Sequence, residues 1–223
     1  MRLWQAEHGV DLVDLFSGHA EPMIHLMSNQ PMTPEGRCAV LTAAHQGYRA
    51  KVSPFYDESI HEVIDRVSAL GSLGKADLGA VLLWKRIESG RWKETLLCLP
   101  DAEVRSVTAH AVAAARDRTL NVPEAAREAR SCLAALPGMG TGDAWASAVI
   151  FVGAPGRMAV YDRWAHTALG LLGLELTDEP GRYGRYMALV EQLRAELRKH
   201  GHGTWTSREV DQALFWHGKH APP

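Results

Sequence analysis

The chain has 223 residues, 46% hydrophobic and 22% charged, which is the composition of one globular domain with or without an appendage and excludes a disordered tail or a fibrous repeat. Twenty-four Lys and Arg against 26 Asp and Glu leave a net charge of −2, so any affinity for a polyanion has to be local. Three scattered cysteines, Cys38, Cys98 and Cys132, fit neither a disulfide framework nor a four-cysteine iron–sulfur cluster.

From Met1 to Pro31 one Arg faces four acids, and Glu7, Asp11 and Asp14 stand where a signal peptide would be basic and then apolar. With no uninterrupted apolar run long enough for a bilayer, the expectation is a cytoplasmic protein without membrane contact. Pro22, Pro31, Pro34 and Gly36 interrupt the pattern, so residues 1–55 are expected to be an irregular segment packed on a helical core. Within it Ala39-Val40-Leu41-Thr42 suits strand or helix.

Residues 56–223 read as one helical domain, because apolar residues recur at helical spacing and alternating β-branched stretches are scarce. Ile60, Val63, Ile64, Val67 and Leu70 form a first stripe; Leu78, Val81 and Leu82 form a second, which Lys85 extends by one turn. Asp101 is placed to cap a helix through Val104, Val107 and Val112. Pro123 suits the first turn of a helix through Ala125, Ala129 and Leu133. Tyr183, Tyr186, Met187, Val190, Leu193 and Leu197 form a later stripe that Gly201 can end, and Thr206 to Glu209 is a capping box for the last helix.

The stretch Leu136-Pro137-Gly138-Met139-Gly140-Thr141-Gly142 lies between two of these helical patterns. Its glycines let a ligand approach the backbone, and the N–H groups of a turn followed by a helix N-terminus suit a phosphate. A tight connection between packed helices has the same composition. After Gly153-Ala154-Pro155-Gly156 stops the next helix, Met158-Ala159-Val160-Tyr161 leads to Asp162, at the start of a helix through Trp164 and Leu169. An aspartate there is a favoured N-cap, and a carboxylate at the positive end of a helix dipole stays ionised.

This pairing of Pro137-Gly138-Met139-Gly140-Thr141 with Asp162 resembles the helix-hairpin-helix DNA glycosylase superfamily, most nearly its 8-oxoguanine DNA glycosylase branch. The resemblance covers Leu136 to Gly173 by motif and implies an all-α, two-lobed fold, with the helix-hairpin-helix at about 125–153. It implies a monomeric enzyme acting on double-stranded DNA, in which Asp162 assists cleavage of the N-glycosidic bond of a flipped, altered base. Bifunctional members carry a lysine where this chain has Gly142. The resemblance therefore implies hydrolysis without a Schiff base at that position.

Around this centre, Gly138, Met139, Gly140, Thr141, Gly142, Lys85 and Arg163 are the expected DNA contacts. Trp84, Trp145, Tyr161, Trp164 and Trp216 are the expected walls of a base pocket. Lys85 through Lys93 is basic and aromatic, as phosphate and base contacts require, although a snorkelling lysine on a core helix looks the same. His200-Gly201-His202 with His217 and His220 lacks ligands at a recognised spacing, so neither metal nor cofactor is expected. Two other functions fit the same residues. One is excision of a hypermodified phage base, such as a glucosylated hydroxymethylcytosine; the other is a non-catalytic hairpin that binds DNA and needs neither Asp162 nor a pocket.

Overall fold

The structure is a computed structural model that describes residues 32–87 and 90–221. These form ten helices and, among the described residues, no strand: α1 (Pro34–Lys51), α2 (Glu58–Leu70), α3 (Lys75–Lys85), α4 (Trp92–Cys98), α5 (Asp101–Arg116), α6 (Val122–Leu133), α7 (Ala144–Gly153), α8 (Arg163–Leu171), α9 (Arg182–Lys199) and α10 (Ser207–His220). None of them is long and apolar enough to cross a membrane.

At the centre lies α7, whose residues Trp145 to Gly153 are all buried and which packs against α2, α3, α5 and α6. Fully burying a side chain such as Ile150 or Val152 contributes about 1.5–3 kcal/mol, so this helix is the main apolar anchor of the domain. Around it, α10 packs on α8, α1 and α9, while α9 also packs on α6. The contact of α10 with α8 is so close that a Cβ at Gly218 would sit 2.0 Å from the Trp164 carbonyl oxygen. Only glycine permits that approach, which brings the start of α8 up to the last helix.

Residues 34–51 correct the expectation of an irregular segment through residue 55. Thr33 accepts the Gly36 N–H with its side chain, Pro34 occupies the first turn, and eighteen residues of helix follow, Ala39 to Thr42 included. Pro34, one of the residues that suggested irregularity, marks the start of α1. Arg37 on α1 donates to Glu196 on α9 at 2.9 and 2.6 Å, a bidentate pair that ties these helices together. The part of the segment up to residue 31 lies outside the described residues.

Most of the other elements match the sequence pattern, including Pro123 in the first turn of α6, left-handed Gly201 and the Thr206–Glu209 capping box. Two details differ. Pro100 takes the cap position of α5, and Asp101 instead accepts the Lys75 N–H at 2.7 Å, serving the start of α3. Leu70, at the end of its stripe, is 62% exposed because Gly71 in the left-handed conformation turns the chain away.

Candidate active site

The extended segment before Asp162 is fixed on every side. Tyr183 and Tyr186 of α9 donate their hydroxyls to the carbonyls of Ala159 and Val160, at 2.8 and 3.1 Å. The Val160 N–H donates to Asp211 Oδ2 at 2.8 Å, and the Tyr161 N–H donates to Ser147 Oγ at 2.9 Å. Both tyrosines are fully buried, and burial drives their hydroxyls well above the ordinary phenol range, so each stays neutral and keeps the proton it donates.

Asp162 then caps α8 from an extended backbone conformation, its Oδ1 accepting the N–H groups of Trp164 and Ala165, both at 2.9 Å. Its Oδ2 accepts from Lys85 Nζ, also at 2.9 Å. Lys85 is the last residue of α3, one turn beyond buried Val81, so the apolar stripe aims its stem at Asp162. The next residue, Arg86, adopts a left-handed conformation with φ of 54° and ends the helix at that point.

Lys85 and Asp162 share a cavity of about 840 Å³ bounded by the end of α1, the end of α3, the start of α8 and one face of α10. Six cationic side chains line it, Lys51, Lys85, Arg86, Arg163, Arg208 and Lys219, against the two carboxylates of Asp162 and Asp211. A chain of net charge −2 therefore concentrates positive charge in this concavity, which attracts an anionic ligand.

The floor of the cavity is an aromatic and ionic stack. Trp84 lies nearly parallel to Phe151 at 6.0 Å, and the Arg208 guanidinium sits over both rings, 5.0 and 5.4 Å from their centres. Arg208 donates to Asp211 at 2.7 Å and pairs with Asp57 at 3.4 Å, while Trp84 Nε1 donates to the same Asp57 at 2.8 Å. Burial alone would lower Arg208, but Asp211 and Asp57 hold it charged, above its ordinary value. Asp211 itself is pushed up to about 6 by burial, against the pull of Arg208 and of the Val160 N–H.

Of the residues expected at the site, Lys85, Trp84, Asp162, Arg163, Trp164 and Trp216 all line this cavity. Trp145 and Tyr161 do not. Trp145 is buried beside Trp92, with ring centres 6.1 Å apart, and Tyr161 packs edge-on against Tyr186 at 5.3 Å under the Arg182 guanidinium. Their burial serves the core, the commoner use of an aromatic side chain. Arg208, Asp211 and Tyr48 are cavity residues that the sequence pattern did not single out. Arg208 lies within the capping box of α10, Asp211 in no motif, and Tyr48 in the stretch expected to be irregular. Their one sequence signal is the three-residue Arg-to-Asp spacing, which pairs side chains on a helix.

The hairpin is less uniform than its glycines suggest. Met139 is fully buried and its N–H donates to the Leu136 carbonyl at 3.0 Å, so neither its side chain nor its amide is free for DNA. Gly138 has φ of 80°, and a Cβ there would meet the Trp92 ring at 2.3 Å, so its missing side chain serves packing. Gly140, Thr141 and Gly142 are exposed, and their N–H groups donate to no acceptor among the described residues. Asp143, which follows, is held by Arg130 and Arg182 through their Nε atoms, each at 2.8 Å. Ala144 alone of this turn reaches the cavity wall.

No family model, curated protein or solved structure matches this chain. Among the described residues, no three His, Cys, Asp or Glu side chains gather as a metal ion would need.

Proposed function

We propose that the protein is a DNA glycosylase of the helix-hairpin-helix type, a hydrolase that releases an altered base from a nucleotide extruded out of the duplex. The observation that carries this reading is Asp162, with one carboxylate oxygen spent on the helix cap and the other facing a cation-lined cavity. In this reading the free N–H groups of Gly140 to Gly142 take a DNA phosphate, and Arg163 and the other cations of the rim hold the bent strand. Trp84, Trp164 and Trp216 enclose the extruded base. As the C1′–N bond breaks, its electron pair leaves with the base, and positive charge develops on the sugar beside Asp162. A fixed carboxylate stabilises that charge and aligns a water for attack at C1′. Gly142 offers no amine, so base release itself is hydrolytic.

The size of the cavity bears on the substrate. Sites for drug-sized ligands occupy about 300–1,000 Å³, and this cavity lies in the upper part of that range. Such room favours a bulky base, the hypermodified phage base, over a lightly oxidised one. A non-catalytic DNA-binding hairpin would have no use for a cavity whose wall ends in a lysine and carboxylate pair.

The test is a set of duplexes, each with one altered base, that includes 8-oxoguanine and glucosylated hydroxymethylcytosine. Free base released by the wild type and not by Asp162→Asn supports the reading, and larger release from the glucosylated duplex supports the bulky substrate. Duplex binding without release from any member would leave the non-catalytic module.

A further inference from the structure

The amine that the hairpin lacks is supplied by another helix. Lys85 Nζ lies 2.9 Å from Asp162 Oδ2, with the two side chains only 15% and 18% exposed, at the wall of the cavity read above as the nucleotide site. Lys51 and Lys219 line the same cavity, but neither is paired with a carboxylate among the described residues. Lys85 therefore combines three properties: a primary amine, a proton acceptor in contact with it, and a place in the wall of the same cavity as Asp162.

Hydrolysis of an N-glycosidic bond leaves a sugar whose C1′ interconverts between a closed hemiacetal and an open aldehyde. An aldehyde beside an amine and a carboxylate meets the condition for an imine. We propose that Lys85 captures the abasic product as an imine, giving the protein a second activity as an abasic-site lyase; the inference rests on reading the cavity as a nucleotide site. Asp162 takes one proton from the Lys85 ammonium, and the freed amine adds to C1′ to form the C–N bond. The same proton returns through Asp162 to the former carbonyl oxygen, which leaves as water once the nitrogen's remaining proton shift is complete. The net change is ammonium plus aldehyde to iminium plus water, with charge conserved. The iminium acidifies C2′; loss of a C2′ proton to water breaks the C3′–O bond, and the 3′ phosphate departs with its electron pair. Water then hydrolyses the imine and restores the amine.

Because the amine comes from the end of α3, no lysine is needed in the hairpin. The ion pair also gives the free protein a reason to hold Lys85 in one place. Leu78 and Val81, on the same stripe, are buried, and left-handed Arg86 ends the helix one residue after Lys85.

The experiment uses a duplex with a preformed abasic site, which bypasses base excision, and borohydride, whose hydride reduces an imine to a stable secondary amine. Wild-type protein is expected to give a covalent adduct that peptide mapping places on Lys85. Lys85→Arg keeps a cation beside Asp162, but its guanidinium does not add to aldehydes, so the adduct is expected to be lost while thermal melting is unchanged. Lys85→Gln serves the same purpose if the arginine does not fit. Asp162→Asn is expected to slow adduct formation. An equal yield from Lys85→Arg and Lys85→Gln, an adduct on Lys51 or Lys219, or no adduct with the wild type would overturn the proposal. Base release without an adduct would sink the lyase and leave the glycosylase standing; an adduct without release from any altered base would do the reverse.

Discussion

Two aspartates stand at the start of two helices, and they are used in opposite ways. Asp143 precedes α7 in a helical backbone conformation, makes no side-chain cap, and gives one oxygen to Arg130 of α6 and the other to Arg182 of α9. Asp162 precedes α8 in an extended conformation, where a single oxygen satisfies two helix amides and the second is left to the cavity and Lys85. A carboxylate has two oxygens, so a cap and a chemical role coexist only when the backbone turns one oxygen back over the helix. Asp143 locks the hairpin to the body of the domain. Asp162 keeps an oxygen on the cavity side, in contact with Lys85.

The comparison breaks most sharply at Asp162. Asparagine caps a helix about as well as aspartate and removes the charge, so Asp162→Asn keeps the cap but leaves Lys85 unpaired, and is expected to cost about 1 kcal/mol of stability. Base release should fall by roughly a hundredfold or more, the usual loss when a main electrostatic or general-base contribution is removed. Single-turnover excision with thermal melting checks both. Full activity in the asparagine variant would make Asp162 a cap and nothing more.

Asp143→Ala should show the reverse profile. Removing it strands two guanidiniums whose side chains are 16% and 21% exposed, and the expected loss is about 2 kcal/mol, reduced from the fully buried case by that exposure. Urea unfolding measures it. The folded fraction should retain base release within about tenfold, since neither oxygen of Asp143 faces the cavity. A hundredfold loss of release without destabilisation would move Asp143 into the site.

How the two aspartates differ was not legible in the sequence, which marks Asp162 as a cap and gives Asp143 no role. Both precede apolar helical stretches; what separates them is that α6 and α9 deliver arginines to one while α3 delivers a lysine to the other. The helices themselves were legible because a 3.6-residue stripe is a local signal, and so was the direction of Lys85, which continues a stripe. Arg208 and Asp211 escaped notice because their meaning lies in Asp57, Trp84 and Phe151, which are brought to α10 only by the fold. Trp145 and Tyr161 illustrate the converse. An aromatic next to a motif is read as pocket or core only once its neighbours are known.

The hairpin glycines extend the contrast between locking and binding. Gly138→Ala would force a Cβ into the Trp92 ring from a backbone at φ of 80°, and about 1–2 kcal/mol of destabilisation is expected from the strain alone. At Gly140 the nearest atom to an added Cβ is the Ala134 carbonyl oxygen, 3.7 Å away, so Gly140→Ala should leave stability within about 0.5 kcal/mol. Gly140→Val should fold as well and bind duplex more weakly, if the exposed amides beside it hold a phosphate. Equal binding at equal salt would confine the hairpin to a structural role.

The last prediction concerns a third aspartate, and the sign of its effect decides which force controls the cavity floor. Asp211 is 3% exposed, and burial raises it from 3.8 to about 6, so the folded protein holds this proton more tightly than the unfolded chain does. A group raised on folding contributes stability that is fully present below its unfolded value and lost as pH rises through its folded value. Relative to Asp211→Asn, the wild type should therefore lose stability between about pH 4 and 6, by an amount on the order of 3 kcal/mol, and the difference should be flat above that. Glu196 provides the opposite sign in the same molecule. Its hydrogen bonds from Arg37 lower it, so its stabilisation is present above 4.5 and disappears as the pH falls further. Urea midpoints taken across this range for the wild type, Asp211→Asn and Glu196→Gln separate the two. If the difference between the wild type and Asp211→Asn rises with pH over the same interval, the 2.7 Å bond from Arg208 outweighs burial, and Asp211 is ionised wherever the protein is folded. The cavity floor would then carry a fixed ion pair beside Lys85 and Asp162.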